Sequence, residues 1–157
     1  MEHYVTSGTA KIWTTINDES PKCSKPYLLM CGGGPGVNDG LNEVDPILNT
    51  RFNTIRFNHR GCGSSTAAKN YNIETVLNDI EAIRQFYRVD SWYVLGHSWG
   101  ANIALFYTLK FSKHCKSVIY LCGMGVQNDM DWSAECATNA AELKEPERPP
   151  RLILISF

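Results

Sequence analysis

A serine framed by two glycines, Gly96-His97-Ser98-Trp99-Gly100, constrains this 157-residue chain more than any other stretch. The apolar run Trp92-Tyr93-Val94-Leu95 enters it as a buried strand would, and the helix formers from Ala101 to Lys110 leave it. A strand that passes straight into a helix forces the middle residue into a strained backbone conformation. Its neighbours two positions away must then be small, or their side chains collide with the turn. The arrangement yields an exposed hydroxyl at a helix N-terminus, where backbone N–H groups and the helix dipole favour developing negative charge. The spacing is that of a nucleophile elbow, with Ser98 as candidate nucleophile. A pattern with three fixed positions also arises by chance; the flanking strand and helix favour the functional reading.

Composition narrows the partners. Hydrophobic residues make up 43% and charged residues 20%, as in an ordinary globular domain, and a net charge of -1 argues against nucleic acid or an anionic membrane. No apolar run is long enough to span a bilayer. Met1-Glu2-His3-Tyr4 lacks the basic and apolar regions of a signal peptide, so a cytoplasmic protein is expected. The six cysteines form no C-x-x-C pair, which argues against zinc and against a thioredoxin-type site. They are read as reduced thiols, several of them in the core.

In chain order, residues 3–16 predict a hairpin turning at Ser7-Gly8, and Pro26 to Cys31 predicts a strand buried on both faces. Asp39 to Leu48 predicts a short helix interrupted by Pro46, and Phe52 to Phe57 a further strand. Ile73, Val76, Leu77, Ile80, Ile83 and Tyr87 share one helical face behind an Asn72 N-cap. Cys115 to Cys122 predicts one more buried strand, and Trp132 to Leu143 a helix. Strands alternating with helices after an N-terminal hairpin imply an α/β fold with an open, mostly parallel sheet.

Two glycine-rich loops invite a nucleotide-binding reading, and both fail it. A dinucleotide fingerprint would need glycine at Val37 or Thr66, and no G-K-[ST] occurs. No cofactor is therefore expected. The loop Gly32-Gly33-Gly34-Pro35-Gly36 is better read as bringing a backbone N–H to the serine, as half of an oxyanion hole. The other half would be the N–H of Trp99, the residue after the nucleophile. A tight strand-to-helix turn without a catalytic part is the plainer alternative for this loop taken alone.

With those residues in view, the chain resembles the proline iminopeptidases (prolyl aminopeptidases) of the α/β-hydrolase fold. Gly32 to Gly36 is similar to that family's H-G-G-P-G loop, and Phe57-Asn58-His59-Arg60-Gly61-Cys62-Gly63-Ser64-Ser65 to its D-Q-R-G-C-G-R-S. Asp79-Ile80-Glu81 is similar to its D-I-E, and Gly96 to Gly100 to its G-x-S-W-G. The resemblance covers about residues 10 to 125. It implies Ser98 as nucleophile and Gly34 and Trp99 as donors of the oxyanion N–H groups. It also implies a small peptide, amide or ester substrate with proline preferred at its N-terminus. Two positions depart from the pattern: Gly32 stands in place of histidine and Asn58 in place of aspartate. His59 and Arg60 are expected to brace loops, and His97 to pack beneath the elbow.

A serine hydroxyl needs a histidine to take its proton and a carboxylate to orient that histidine. In this fold the acid and then the histidine follow the serine. The one histidine after Ser98 is His114, which precedes every later acid and lies beyond some ten residues of helix, at ~1.5 Å rise per residue. The sequence is therefore expected to hold the first part of a hydrolase core over residues 1–125. Residues 126–157 are expected to be the opening of a helical cap and a truncated tail. On that reading the strand at 115–122 is left at the sheet edge, and the chain by itself is inactive. An ester-cleaving α/β-hydrolase and a non-catalytic remnant that binds a ligand or partner are the competing readings. The sequence does not specify an oligomeric state.

Overall fold

The computed structural model describes residues 1–20, 23–34, 36–123 and, for the backbone, 153–155. The expected helix at 132–143, the cap and Pro35 lie outside the described residues. Strands β1 (Glu2–Ser7) and β2 (Ala10–Ile16) form the hairpin, with Gly8 at positive φ in the turn. They are followed by β3 (Tyr27–Cys31), the short helix α1 (Asp45–Leu48), β4 (Asn53–Phe57) and helix α2 (Ile73–Phe86). Strand β5 (Trp92–His97), helix α3 (Trp99–Lys110), β6 (Cys115–Leu121) and β7 (Ile153–Ile155) complete the order. The strands make one sheet in the order β1-β2-β4-β3-β5-β6-β7. β4, β3, β5 and β6 run parallel, and β1, β2 and β7 run against their neighbours.

The centre of the sheet is buried on both faces, which is why β3 reads as an unbroken apolar run, whereas in β6 Val118 is the one fully buried residue. Leu29 and Cys31 join Ile12, Ile55, Val94 and Val118 in the core beneath α2 and α3. Leu28 and Met30 point the other way, against Leu41 and Leu95. Helix α2 meets that core through Val76, Leu77, Ile80 and Ile83, and Asn72 caps it by accepting the Thr75 N–H at 2.8 Å. Helix α3 is apolar nearly all round and is clamped to α2 where the Tyr107 hydroxyl donates to Glu81 at 3.0 Å. No helix among the described residues is long and apolar enough to cross a membrane.

Three expectations are corrected. Only Asp45–Leu48 is helical within 39–48, and Pro46 lies in the first turn, where its missing N–H breaks no helical bond, rather than interrupting a longer helix. Ile73 is 47% exposed and stands outside the buried face of α2. The strand at 115–121 is not an open edge, because β7 pairs with it antiparallel, Val118 opposite Ile155 and Tyr120 opposite Ile153.

Candidate active site

Ser98 sits between β5 and α3 with φ 55° and ψ −126°, a conformation that side-chain-bearing residues seldom adopt. Two backbone bonds hold it there. Its N–H donates to the Leu121 carbonyl at the end of β6 (2.9 Å), and its carbonyl accepts the Ala101 N–H (2.9 Å). Its hydroxyl makes no capping bond to the helix it precedes. The flanking glycines are there for space. A Cβ at Gly96 would overlap the Gly100 carbonyl and Ala101, and a Cβ at Gly100 would overlap the carbonyl oxygens of Cys31 and Gly32. The two glycines thus let strand, elbow and glycine loop stack backbone on backbone.

The same contact brings the glycine loop over the serine. A Cβ built on Gly33 would lie 3.4 Å from Ser98 Cβ, and one on Gly34 3.9 Å from the Trp99 ring. Gly34 has φ +150°, so a side chain there would be strained as well as close. Trp99 opens helix α3, where the first N–H groups have no intrahelical acceptor. The structure therefore gathers Ser98, Gly34 and Trp99 at one corner.

His59 and Arg60 secure that corner from behind. Buried His59 donates from Nε2 to the Gly32 carbonyl (3.2 Å) and lies edge-on between Phe57 and Trp99, 4.8 Å from each ring. Burial holds its pKa down at about 4, so the ring is neutral at physiological pH; its Nδ1 is buried without a partner. Buried Arg60 grips buried Asp79 of α2 through Nε (2.7 Å) and Nη2 (2.5 Å), and its Nη1 donates to the Asn70 carbonyl (3.0 Å). Asn58 accepts the Asp39 N–H at 2.9 Å, a bond that an aspartate would also make. Asp39 and Asp45 both pair with Arg56 of β4, fixing the segment that follows the glycine loop.

Three of the histidines are committed to partners other than the serine. His59 is committed to Gly32. His114 bonds the Asp90 carbonyl at 2.8 Å, and His3 pairs with Glu19. His97 is exposed rather than packed beneath the elbow, its Nδ1 3.5 Å from where a Gly33 side chain would begin. Beside Trp99 a cavity of about 860 Å³ opens between the glycine loop, the loop after β4 and the first turn of α2.

A family model described as the alpha/beta hydrolase fold matches residues 26–144. The chain belongs to the α/β hydrolase fold family. Among curated relatives, it is 27% identical over 119 residues to the proline iminopeptidase of Chitinophaga pinensis, covering 71% of this chain and 39% of that one. It is 28% identical over 149 residues to that of Elizabethkingia meningoseptica, covering 90% of this chain and 47% of the relative. The chain spans less than half the length of these relatives. The crystal structure of proline iminopeptidase from Mycobacterium smegmatis superposes with a TM-score of 0.73 at 19% identity, over 91% of this chain and 50% of that one. At that identity the superposition speaks for the fold, and the elbow of this chain stands at the strand-to-helix turn the fold requires.

The Arg60–Asp79 pair is a feature that the residues alone did not disclose. Both residues lie in stretches that resemble the iminopeptidases, but only the fold shows that one grips the other. The signal in the sequence was an acid on the apolar face of a helix, between Val76 and Ile80.

Proposed function

We propose that this chain carries the nucleophile and the oxyanion hole of a serine hydrolase that removes N-terminal residues, proline by preference, from peptides. Ser98 attacks the carbonyl carbon. The oxyanion that forms is received by the N–H groups of Gly34 and Trp99, the hydroxyl proton passes by way of a base to the leaving nitrogen, and departure of the amine leaves an acyl-serine for water to cleave. The observation that carries this reading is the strained Ser98, its hydroxyl free of capping bonds, set 3.4 Å from where a Gly33 side chain would begin. The preference for an N-terminal proline rests on the iminopeptidase relatives. The unpaired thiols Cys31 and Cys62 support a reducing compartment, the cytoplasm.

His3, His59 and His114 are each committed to other partners, and no histidine ring is hydrogen-bonded to the Ser98 hydroxyl among the described residues. This chain by itself is therefore expected to react slowly at Ser98 and not to turn over. The test is labelling with a fluorophosphonate, followed by peptide mapping, alongside an assay on a proline arylamide. Slow labelling confined to Ser98 and abolished by Ser98→Ala, without release of arylamine, supports the reading. Labelling that persists in Ser98→Ala overturns the nucleophile. Turnover that Ser98→Ala abolishes overturns the claim of inactivity.

A further inference from the structure

The cavity beside Trp99 has a wall whose chemistry is more specific than its size. At about 860 Å³ it is in the range of small-molecule sites. Trp99, Tyr71, Ile73, Val76 and Cys62 give it an apolar lining, and Gly36 joins it to the glycine loop. Of the polar side chains on the wall, buried His59 keeps one acceptor, Nδ1, without a partner, and the charged ones are engaged. The guanidinium of Arg60 is taken by Asp79 and the Asn70 carbonyl. Asn72 accepts from both the N–H and the hydroxyl of Thr75. Glu74, the one carboxylate on the lining, holds Lys110 of α3 at 2.6 Å.

Glu74 is largely exposed and its surface pair with Lys110 is weak, but an ammonium that passes it toward Trp99, Val76 and Cys62 is desolvated against apolar side chains, which is costly. The free amine of a peptide's N-terminal residue is therefore disfavoured in the depth of the cavity, while neutral apolar surface is welcome there. We propose that this cavity holds an uncharged apolar group of the substrate, aryl or branched alkyl, on the leaving side of the scissile bond and away from any free amine. The assignment of a leaving side rests on Ser98 being the nucleophile. The binding of a neutral apolar group does not.

Three measurements on the full chain separate the two. N-phenyl-1-naphthylamine, a neutral fluorophore that brightens in apolar surroundings, is titrated against wild type, Ile73→Glu and Leu109→Glu. Ile73 is a half-exposed rim residue in the first turn of α2, where an acid suits the helix dipole, so this variant is expected to fold. Leu109 is 64% exposed on α3, does not line the cavity and serves as the control. Saturable binding is expected, weakened about tenfold or more by Ile73→Glu and unchanged by Leu109→Glu. Saturating fluorophore is then expected to slow fluorophosphonate labelling of Ser98 several-fold, because Trp99 belongs to both sites. Absence of saturable binding, or binding indifferent to Ile73→Glu, overturns the proposal. Binding that leaves Ser98 labelling unchanged overturns the assignment to the leaving side. Ile73-dependent binding in a chain whose Ser98 never labels sinks the nucleophile while supporting the apolar site.

Discussion

The elbow and the brace behind it are built by opposite means. At the elbow, backbone lies on backbone: Gly96 and Gly100 remove side chains so that the carbonyls of Cys31, Gly32 and Gly100 can approach. Ser98 is held at φ 55° by the Leu121 carbonyl and by the start of α3, and its hydroxyl is left free. Behind it, charged side chains reach across long separations in sequence. Arg60 binds Asp79, and Glu81, besides its helical neighbours Arg84 and Gln85, accepts from the Tyr107 hydroxyl of α3. The elbow holds a strained backbone with a free hydroxyl; at the brace the Arg60–Asp79 pair is buried and bonded. The contrast teaches that a strained residue persists where neighbouring elements over-determine the backbone that carries it.

The sharpest way to break this comparison is to remove one partner of the buried pair. Asp79→Ala leaves the Arg60 guanidinium buried without a counter-ion, and a loss of about 3–5 kcal/mol is expected in denaturant unfolding. Replacing both, with Arg60→Met and Asp79→Leu, is expected to recover much of that loss, because the pair itself adds little beyond a well-packed apolar substitute. A double variant no better than Asp79→Ala would show that Arg60 holds the loop by more than its charge.

The elbow is expected to fail through space instead. Gly100→Ala drives a methyl group into the carbonyls of Cys31 and Gly32, both of them backbone and slow to yield. A loss of about 3 kcal/mol is expected, with the glycine loop pushed off Ser98. Labelling of Ser98 by fluorophosphonate should then fall even at temperatures where the variant stays folded. A variant that unfolds early yet labels normally would separate the fit of the loop from its role at the serine.

What could be read from the sequence follows the same division. The elbow is local, so five residues and their flanks state it, and the strand before and helix after it stand where periodicity put them. The brace is non-local. Asp79 looks out of place on an apolar helix face until Arg60, 19 residues earlier, is seen against it. The β6–β7 pairing was illegible for a similar reason: Ile153–Ile155 and Cys115–Leu121 are far apart in the chain, and apolar strands do not name their partners. His97 misled because a position next to the serine says nothing about which way its side chain turns at the strand's end.

His59 joins the two regions and should report on both through pH. Its ordinary pKa of 6.5 is lowered to about 4 by burial, so between those values the unfolded chain binds a proton that the folded chain does not. Stability is thus full above about pH 6.5, falls as the pH drops toward 4, and loses no more through this group below that. The expected loss is about 2–3 kcal/mol, read from denaturant midpoints across the interval. His59→Gln can still donate to the Gly32 carbonyl and does not titrate, so its profile should be flatter by that amount. An identical slope in the variant would place the titration elsewhere.

The smallest expected effect has the opposite sign. At φ 55° and ψ −126° a serine is strained, and a glycine would be at ease. Ser98→Gly should therefore stabilise the chain by about 1 kcal/mol, net of the entropy that glycine adds to the unfolded state. Ser98→Ala keeps the Cβ and the strain while losing only the hydroxyl, so it should unfold close to wild type. The difference between the two variants isolates backbone strain from any bond the hydroxyl makes. If Ser98→Gly gains nothing over Ser98→Ala, the elbow is relaxed in solution and the contrast with the brace dissolves. If it gains as expected, the chain is holding a reactive hydroxyl in place at a measurable cost in stability, which is the mark of a site rather than of a turn.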